Sequence, residues 1–248
     1  MDQYLVDVKI NLVGDKKACY VRSMKAAGRL RKPQGRYHHG DLRQALVSTA
    51  LRVIAEEGVE ALSLRDLARR LGVSHAAPGH HFPDRTALLV ALAGEGFVRL
   101  GAALGAAQAP AARERLAAAG RAFLGFALDH PGYFRAMFGP HIAKLPRAPE
   151  EVARAAEAGY GVIVGAVEGL VGASDARVAH LSFAAWSLLH GAATLFLDGL
   201  VPLQVPELSS RATLELWVDR ALASLCEGLV PRRRAARRQS GPHSDPLV

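Results

Sequence analysis

Apolar positions recur at helical spacing along most of this chain, and nowhere do they alternate over a strand's length. Leu42, Ala45, Leu46, Thr49, Ala50, Val53 and Ile54 follow one another three or four residues apart, laying a stripe along a helix that Asp41 would cap and Gly58 would end. Leu64, Leu67, Ala68 and Leu71 give a second, shorter stripe. Ser63 followed three residues later by Asp66 is a capping-box pattern at its start, and Gly72 can take the positive φ that stops it. Ser74 can cap a third helix, so two short helices are joined by a tight glycine-containing turn. That is a helix-turn-helix arrangement, whose second helix enters the DNA major groove. Phe82-Pro83-Asp84 restarts the chain, and Ala87, Leu88, Ala91, Leu92, Phe97 and Leu100 carry a longer helix over about 84–105.

Beyond Gly105 the breaks are Ala109-Pro110, His130-Pro131, Gly139-Pro140, Leu145 to Pro149, Val171 to Ala173 and Leu200 to Pro206. They predict helices near 111–129, 132–138, 149–170, 175–199 and 208–229. With four helices before Gly105 the total is nine, and the fold class is all-α. The expected organisation is a basic or disordered arm over 1–36, a helix-turn-helix DNA-binding domain over 37–84, a larger helical domain over 85–230, and a basic disordered tail over 231–248.

Charge supports that division. Residues 22–85 carry twelve Lys or Arg against six acids, and residues 232–248 carry five Arg against Asp245, whereas 86–231 is close to neutral. A basic module on a near-neutral body is the electrostatic footprint of a polyanion binder. Arg29, Arg31, Lys32 and Arg36 of the arm either reach phosphates or the minor groove, or form a solvated tail. Met24 is either an internal residue or the true start.

The remaining composition narrows the class. With 248 residues, half of them hydrophobic, the chain can bury a sizeable core. Two cysteines, Cys19 and Cys226, are too few for a disulfide framework, and no secretory signal layout opens the chain. His, Arg, Asp or Glu interrupts every candidate membrane run, so the expected location is the cytoplasm, with no membrane partner. His38, His39, His75, His80 and His81 include no pair at the i, i+4 spacing of a helical zinc site, so neither metal nor cofactor is expected.

The run "SLRDLARRLGVSHAAPGHHFPDRTALL" within Leu42–Leu89 resembles the DNA-binding region of the TetR family of repressors. Trp186-Ser187-Leu188-Leu189-His190-Gly191, with "HPGYFRAMFG" upstream, is similar to the family's C-terminal class that carries a Trp-His-Gly signature. The resemblance implies a homodimer that binds double-stranded operator DNA and a small apolar effector, without catalysis, which makes 85–230 a ligand-binding and dimerisation domain. Base edges demand short side chains with a few polar tips, which Ser74, His75, Ala76 and Ala77 supply. Ser63, Arg65 and Arg85 sit where such folds meet phosphates. Family members usually carry an aromatic, commonly Tyr, where this chain has Gly79; His80 or His81 can substitute for it.

The expected effector pocket is lined by Phe123, Phe126, Tyr133, Phe134, Met137, Phe138, Trp186 and His190, the last two on one helical face; the competing reading is a plain aromatic core. The expected dimer interface is Ala185, Leu188 and Ala192 with Leu214, Trp217, Val218, Ala221, Leu222 and Leu225, on faces that also carry Ala184 and Leu195. Two rival functions are an enzyme using the cavity and an architectural DNA binder without one. Against the enzyme, no Ser-His-acid, paired-carboxylate or metal-ligand spacing falls within one plausible site.

Overall fold

The computed structural model describes residues 39–139, 141–142 and 149–229. The expectations for the arm over 1–36, for Met24, His38 and Cys19, and for the tail over 231–248 lie outside these residues. Eight helices of eight residues or more make up the described chain, with no strand among the described residues.

The first is α1, His39–Glu57, which starts ahead of Asp41, so that residue lies in its first turn and is not its cap. Gly58, at φ 88°, turns the chain out of it. A single 3-10 turn, Val59–Ala61, leads to α2, Leu64–Leu71. Ser63 Oγ accepts from the Asp66 N–H at 3.5 Å, the first half of the expected capping box. For the second half the Asp66 carboxylate turns to Arg69 and Arg70 instead. Gly72 adopts the left-handed conformation (φ 69°), and its N–H with that of Val73 closes the last carbonyls of α2.

The third helix of the expected trio departs from its prediction. Ala77–His80 is a four-residue 3-10 turn, and Ser74 contributes its carbonyl to the Ala77 N–H, not its side chain as a cap. Pro78 is the reason: it has no N–H to send back to Ser74, so an α-helical bond is missing at that step. Asp84 then caps α3, Arg85–Ala106, accepting from the Ala87 N–H at 2.7 Å.

The body follows as α4 (Ala112–Asp129), α5 (Pro131–Phe138), α6 (Glu150–Val171), α7 (Val178–Leu197), the four-residue α8 (Val201–Gln204), and α9 (Arg211–Leu229). The expected break at 200–206 therefore contains a short helix. α3 packs on α5 and α6, α4 on α6, α7 and α9, and α5 on α1. A single apolar core runs unbroken from Leu42 and Leu46 through Leu67, Leu92 and Phe123 to Leu222 and Cys226. α5 crosses α1 so closely that a Cβ at Gly132 would run into the Leu51 backbone.

α3 and α7 are each long and apolar enough to cross a membrane, with mean hydropathies of 1.7 and 1.2, contrary to the expectation that no run qualified. The fold accounts for that apolarity differently. On α3, Leu88, Leu89, Leu92, Leu100 and Leu104 enter the core. The same helix carries Glu95 and Arg99, paired at 2.7 Å, charges that are expensive in lipid. Burial, with the neighbouring Glu95 carboxylate, pushes the Tyr133 phenol up to about 12.

Candidate functional site

The helix-turn-helix presents its short side chains outward. Ser74, His75, Ala76, Gly79 and His80 are exposed, Ala77 and His81 are half-buried, and Pro78 and Phe82 are buried. Val73 and Ala77 pack on the core, which sets the face of the 3-10 turn that looks away from the protein. Arg43 lies over the Phe82 ring at 5.3 Å, closing the inner side. A Cβ at Gly79 would meet nothing within 4 Å, and its φ is not positive, so the backbone does not demand glycine there.

Ser63 and Arg65 are exposed at the N-terminus of α2, and Arg65 makes no ion pair among the described residues. Arg69 and Arg70 hold the Asp66 carboxyl below the usual carboxylate range by hydrogen bonding. Arg70 also reaches Glu57 at 2.8 Å, fastening α2 to the end of α1. Arg85, expected at a phosphate, is committed inward. Its Nε donates to the Leu62 carbonyl at 3.0 Å and its Nη2 to the Val59 carbonyl at 2.8 Å. It fastens the start of α3 to the turn that leads into α2.

Among the described residues of the body, two cavities have room for a small molecule. The first, about 420 Å³, is walled almost entirely by carbon: Phe97, Leu100 and Leu104 of α3, Phe123 of α4, Phe138 of α5, Gly159, Tyr160 and Ile163 of α6, and Phe183 and Trp186 of α7. The second, about 330 Å³, lies between the Val59–Glu60 turn, α5 and α7, with Phe134, Arg135, Phe138, His141, His190 and Thr194 among its walls. Burial lowers the His190 pKa, which favours its neutral form.

The expected single pocket is thus divided. Phe123, Phe138 and Trp186 line the first cavity; Phe134, Phe138 and His190 line the second. Phe126, Tyr133 and Met137 line neither and belong to the core. Met137 is packed under α3, where a Cβ at Gly96 would come within 2.5 Å of its sulfur. The contributions of α3 and α6 were missed. Phe97, Leu100 and Leu104 at i, i+3 and i+7 were a visible stripe, but nothing local separated cavity wall from core.

The expected interface residues also divide. Ala185, Ala192, Leu214, Val218 and Leu222 are buried in the chain's own core, where α4, α7 and α9 meet. Leu225 is half-buried against the same core. Leu188 is half-buried with part of its side chain on the same core, Ala221 is half-buried, and Trp217 is 40% exposed. Each helix therefore carries a second stripe of apolar and small residues at four-three-four spacing. On α7 it is Ala184, Leu188, Gly191 and Leu195; on α9 it is Trp217, Ala221, Ser224 and Gly228. Cys226 is buried, and burial pushes its thiol up, which keeps it protonated and inert.

A family model described as bacterial regulatory proteins, tetR family, matches residues 46–92. A model described as the tetracyclin repressor-like C-terminal domain matches residues 116–221, and the two together span more than half of the chain. A solved protein of unknown function from Rhodococcus sp. RHA1 is 36% identical, covering 79% of this chain and 98% of that one at a TM-score of 0.63. The HTH-type transcriptional regulator BetI of Rhizobium meliloti is 45% identical over 49 residues, 20% of this chain and 24% of that protein. The tetracycline repressor protein class C of Escherichia coli is 47% identical over 51 residues, 21% of this chain and 23% of that protein. The chain thus spans about a quarter of the length of these two curated relatives. With a capped helix-turn-helix on an all-helical body and both family models matched in order, the chain belongs to the TetR family of bacterial regulatory proteins.

Proposed function

We propose that this chain is a homodimeric, ligand-responsive repressor of transcription that acts in the cytoplasm, binds an inverted-repeat operator, and leaves it when a small apolar effector enters the body. The observation that carries this reading is the outward face of the helix-turn-helix, where Ser74, His75, Ala76 and His80 stand exposed beyond a capped, ion-paired support. His75 is the base-reading tip, and the Ala76 and Ala77 methyls suit thymine methyls. Ser63, Arg65 and the free N–H groups at the start of α2 suit phosphates. The two curated relatives, named a transcriptional regulator and a repressor, agree with this class. We also assign the body to the class with the Trp-His-Gly signature, on Trp186, His190 and Gly191.

Dimerisation uses the second stripes of α7 and α9. Their Ala, Ser and Gly positions allow close helix approach across a two-fold axis, and the exposed Leu195 and Trp217 give them apolar area to bury. The effector occupies the 420 Å³ cavity, whose walls are apolar and aromatic. α5 links that cavity to DNA, because Phe138 forms its wall while Gly132 abuts α1. An effector can shift the two heads only by its differential affinity for two arrangements, and coupling of about 1–3 kcal/mol would weaken operator binding roughly 5- to 150-fold.

The test is selection of duplex DNA from a random library by the full chain. The expected product is an inverted repeat with half-sites about one helical turn apart. Failure to enrich any sequence would overturn the DNA-binding assignment. Operator affinity is then measured with and without naphthalene, a compact apolar occupant for the first cavity. Trp186→Ala is expected to leave operator binding intact and to blunt release.

A further inference from the structure

Along one face of α7, Phe183, Trp186, His190, Thr194 and Leu197 succeed one another at helical spacing, and the chemistry changes partway. Phe183 and Trp186 line the apolar cavity, whereas His190, Thr194 and Leu197 line the second one. The Phe138 ring lines both, 6.5 Å from the Trp186 ring and 4.9 Å from that of His190. The cavities therefore lie end to end with one aromatic ring between them. From Phe183 to Thr194 the face extends ~16 Å at the helical rise.

The second cavity is short of hydrogen-bond partners. Five buried side-chain N or O atoms lack a partner among the described residues, and four of them belong to residues lining this cavity: Arg135 Nε, His141 Nδ1, His190 Nδ1 and Thr194 Oγ1. Buried polar atoms normally have partners, so such a concentration needs an explanation. Their chemistry is specific. Arg135 Nε can only donate. His141 donates its Nε2–H to the Ala136 carbonyl at 2.9 Å, so in the neutral ring Nδ1 is an acceptor. The Thr194 hydroxyl can do either. Charge is already balanced: Arg135 pairs with Asp198 at 2.9 Å, and Glu60 pairs with Arg85 at 3.5 Å. The arginine among the cavity's described walls is thus already ion-paired, so a carboxylate would meet no unpaired guanidinium, and an ammonium offers nothing to Arg135 Nε.

We propose that the effector is an elongated amphiphile whose apolar body fills the first cavity and whose uncharged head, a carboxamide or hydroxyl able both to donate and to accept, fills the second once the Phe138 ring turns aside. This rests on the reading of the first cavity as an effector site. It adds a reason for response, because the head then sits against Val59 and Glu60, in the turn that Arg85 holds at the entrance to α2.

The test is isothermal titration calorimetry of the full chain with decanamide, decanoate and decylammonium at neutral pH, alongside naphthalene, which has no head. Decanamide is expected to bind at least about tenfold more tightly than either charged analogue, since each would bury an unpaired charge. In Thr194→Val that advantage is expected to shrink several-fold while naphthalene binds as before. Equal binding of the three decyl compounds, with naphthalene still bound, would overturn the head-group assignment and leave the apolar effector site standing. An undiminished preference in Thr194→Val would also overturn it, by placing the head elsewhere. If naphthalene and all three decyl compounds failed to bind, the effector reading of the first cavity would fall, and this inference with it.

Discussion

Replacing Arg85 by alanine separates two jobs that one side chain could do. Its guanidinium donates to the Leu62 and Val59 carbonyls at 3.0 and 2.8 Å, and approaches the Glu60 carboxylate at 3.5 Å. Hydrogen bonds to a charged group are worth about 1.5–3 kcal/mol each when solvent is excluded. Here the side chain is 38% exposed, so water competes and can rehydrate the carbonyls after truncation. The Glu60 partner is 88% exposed and adds little. The two carbonyl bonds together should therefore contribute about 2 kcal/mol, which lowers the melting temperature by roughly 4–8 °C in a domain of this size. Arg85→Ala should also weaken operator binding by loosening the turn ahead of Ser63, yet leave the salt dependence of affinity unchanged. A phosphate contact behaves oppositely: its loss leaves stability alone and flattens the slope of log K against log salt by about 0.9 per contact. Calorimetric melting and a salt titration of operator affinity, run on parent and variant, decide the matter. A variant that melts with the parent and shows the flatter slope would refute the clamp and restore the phosphate role.

Three further outcomes follow from the same geometry. Gly79→Tyr is expected to tighten operator binding by about 1 kcal/mol through one added phosphate contact with packing, because a side chain there meets open space; weaker binding in a gel-shift titration would count against that. Ala221→Glu is expected to give a folded monomer in sedimentation, whereas Ala185→Glu, at a fully buried position, should unfold the chain; a dimer persisting in the first variant would exclude the α9 stripe as the interface. For His190 the folded pKa lies below the ordinary value of 6.5, so folding stability is complete above that pH and is lost as pH falls beneath it. His190→Gln should therefore lose less stability than the parent between neutral pH and mildly acidic pH; identical pH profiles would show that burial at His190 does not bear on acid sensitivity.

Much of the fold is local, and local features were legible along the chain. Helix spans follow from apolar spacing and from Gly and Pro breaks, so α3 to α7 and α9 lie within a few residues of where the pattern places them. The Ser63 cap, the Gly72 turn and the Asp84 restart depend on a handful of neighbouring atoms, and each has its expected backbone role. Pro78 also lay in plain view. Its missing N–H explains why the expected recognition helix is a single 3-10 turn.

What the sequence by itself determined, then, is a basic helix-turn-helix leading into an apolar, aromatic-rich helical body. The tertiary structure decided which stripe of each helix faces which neighbour. α7 and α9 each carry two stripes suited to packing, and periodicity marks both without ranking them, so Ala185 and Val218 looked as suited to an interface as Leu188 and Ala221. A cavity is less legible still, because it forms where side chains from α3, α4, α5, α6 and α7 fail to fill the space between them. Arg85 turned inward for a similar reason. Its partners, the Val59 and Leu62 carbonyls, are distant in sequence and have no side-chain identity to read. Spacing along one helix reports what can share a face, and only the packing of several helices determines what that face meets.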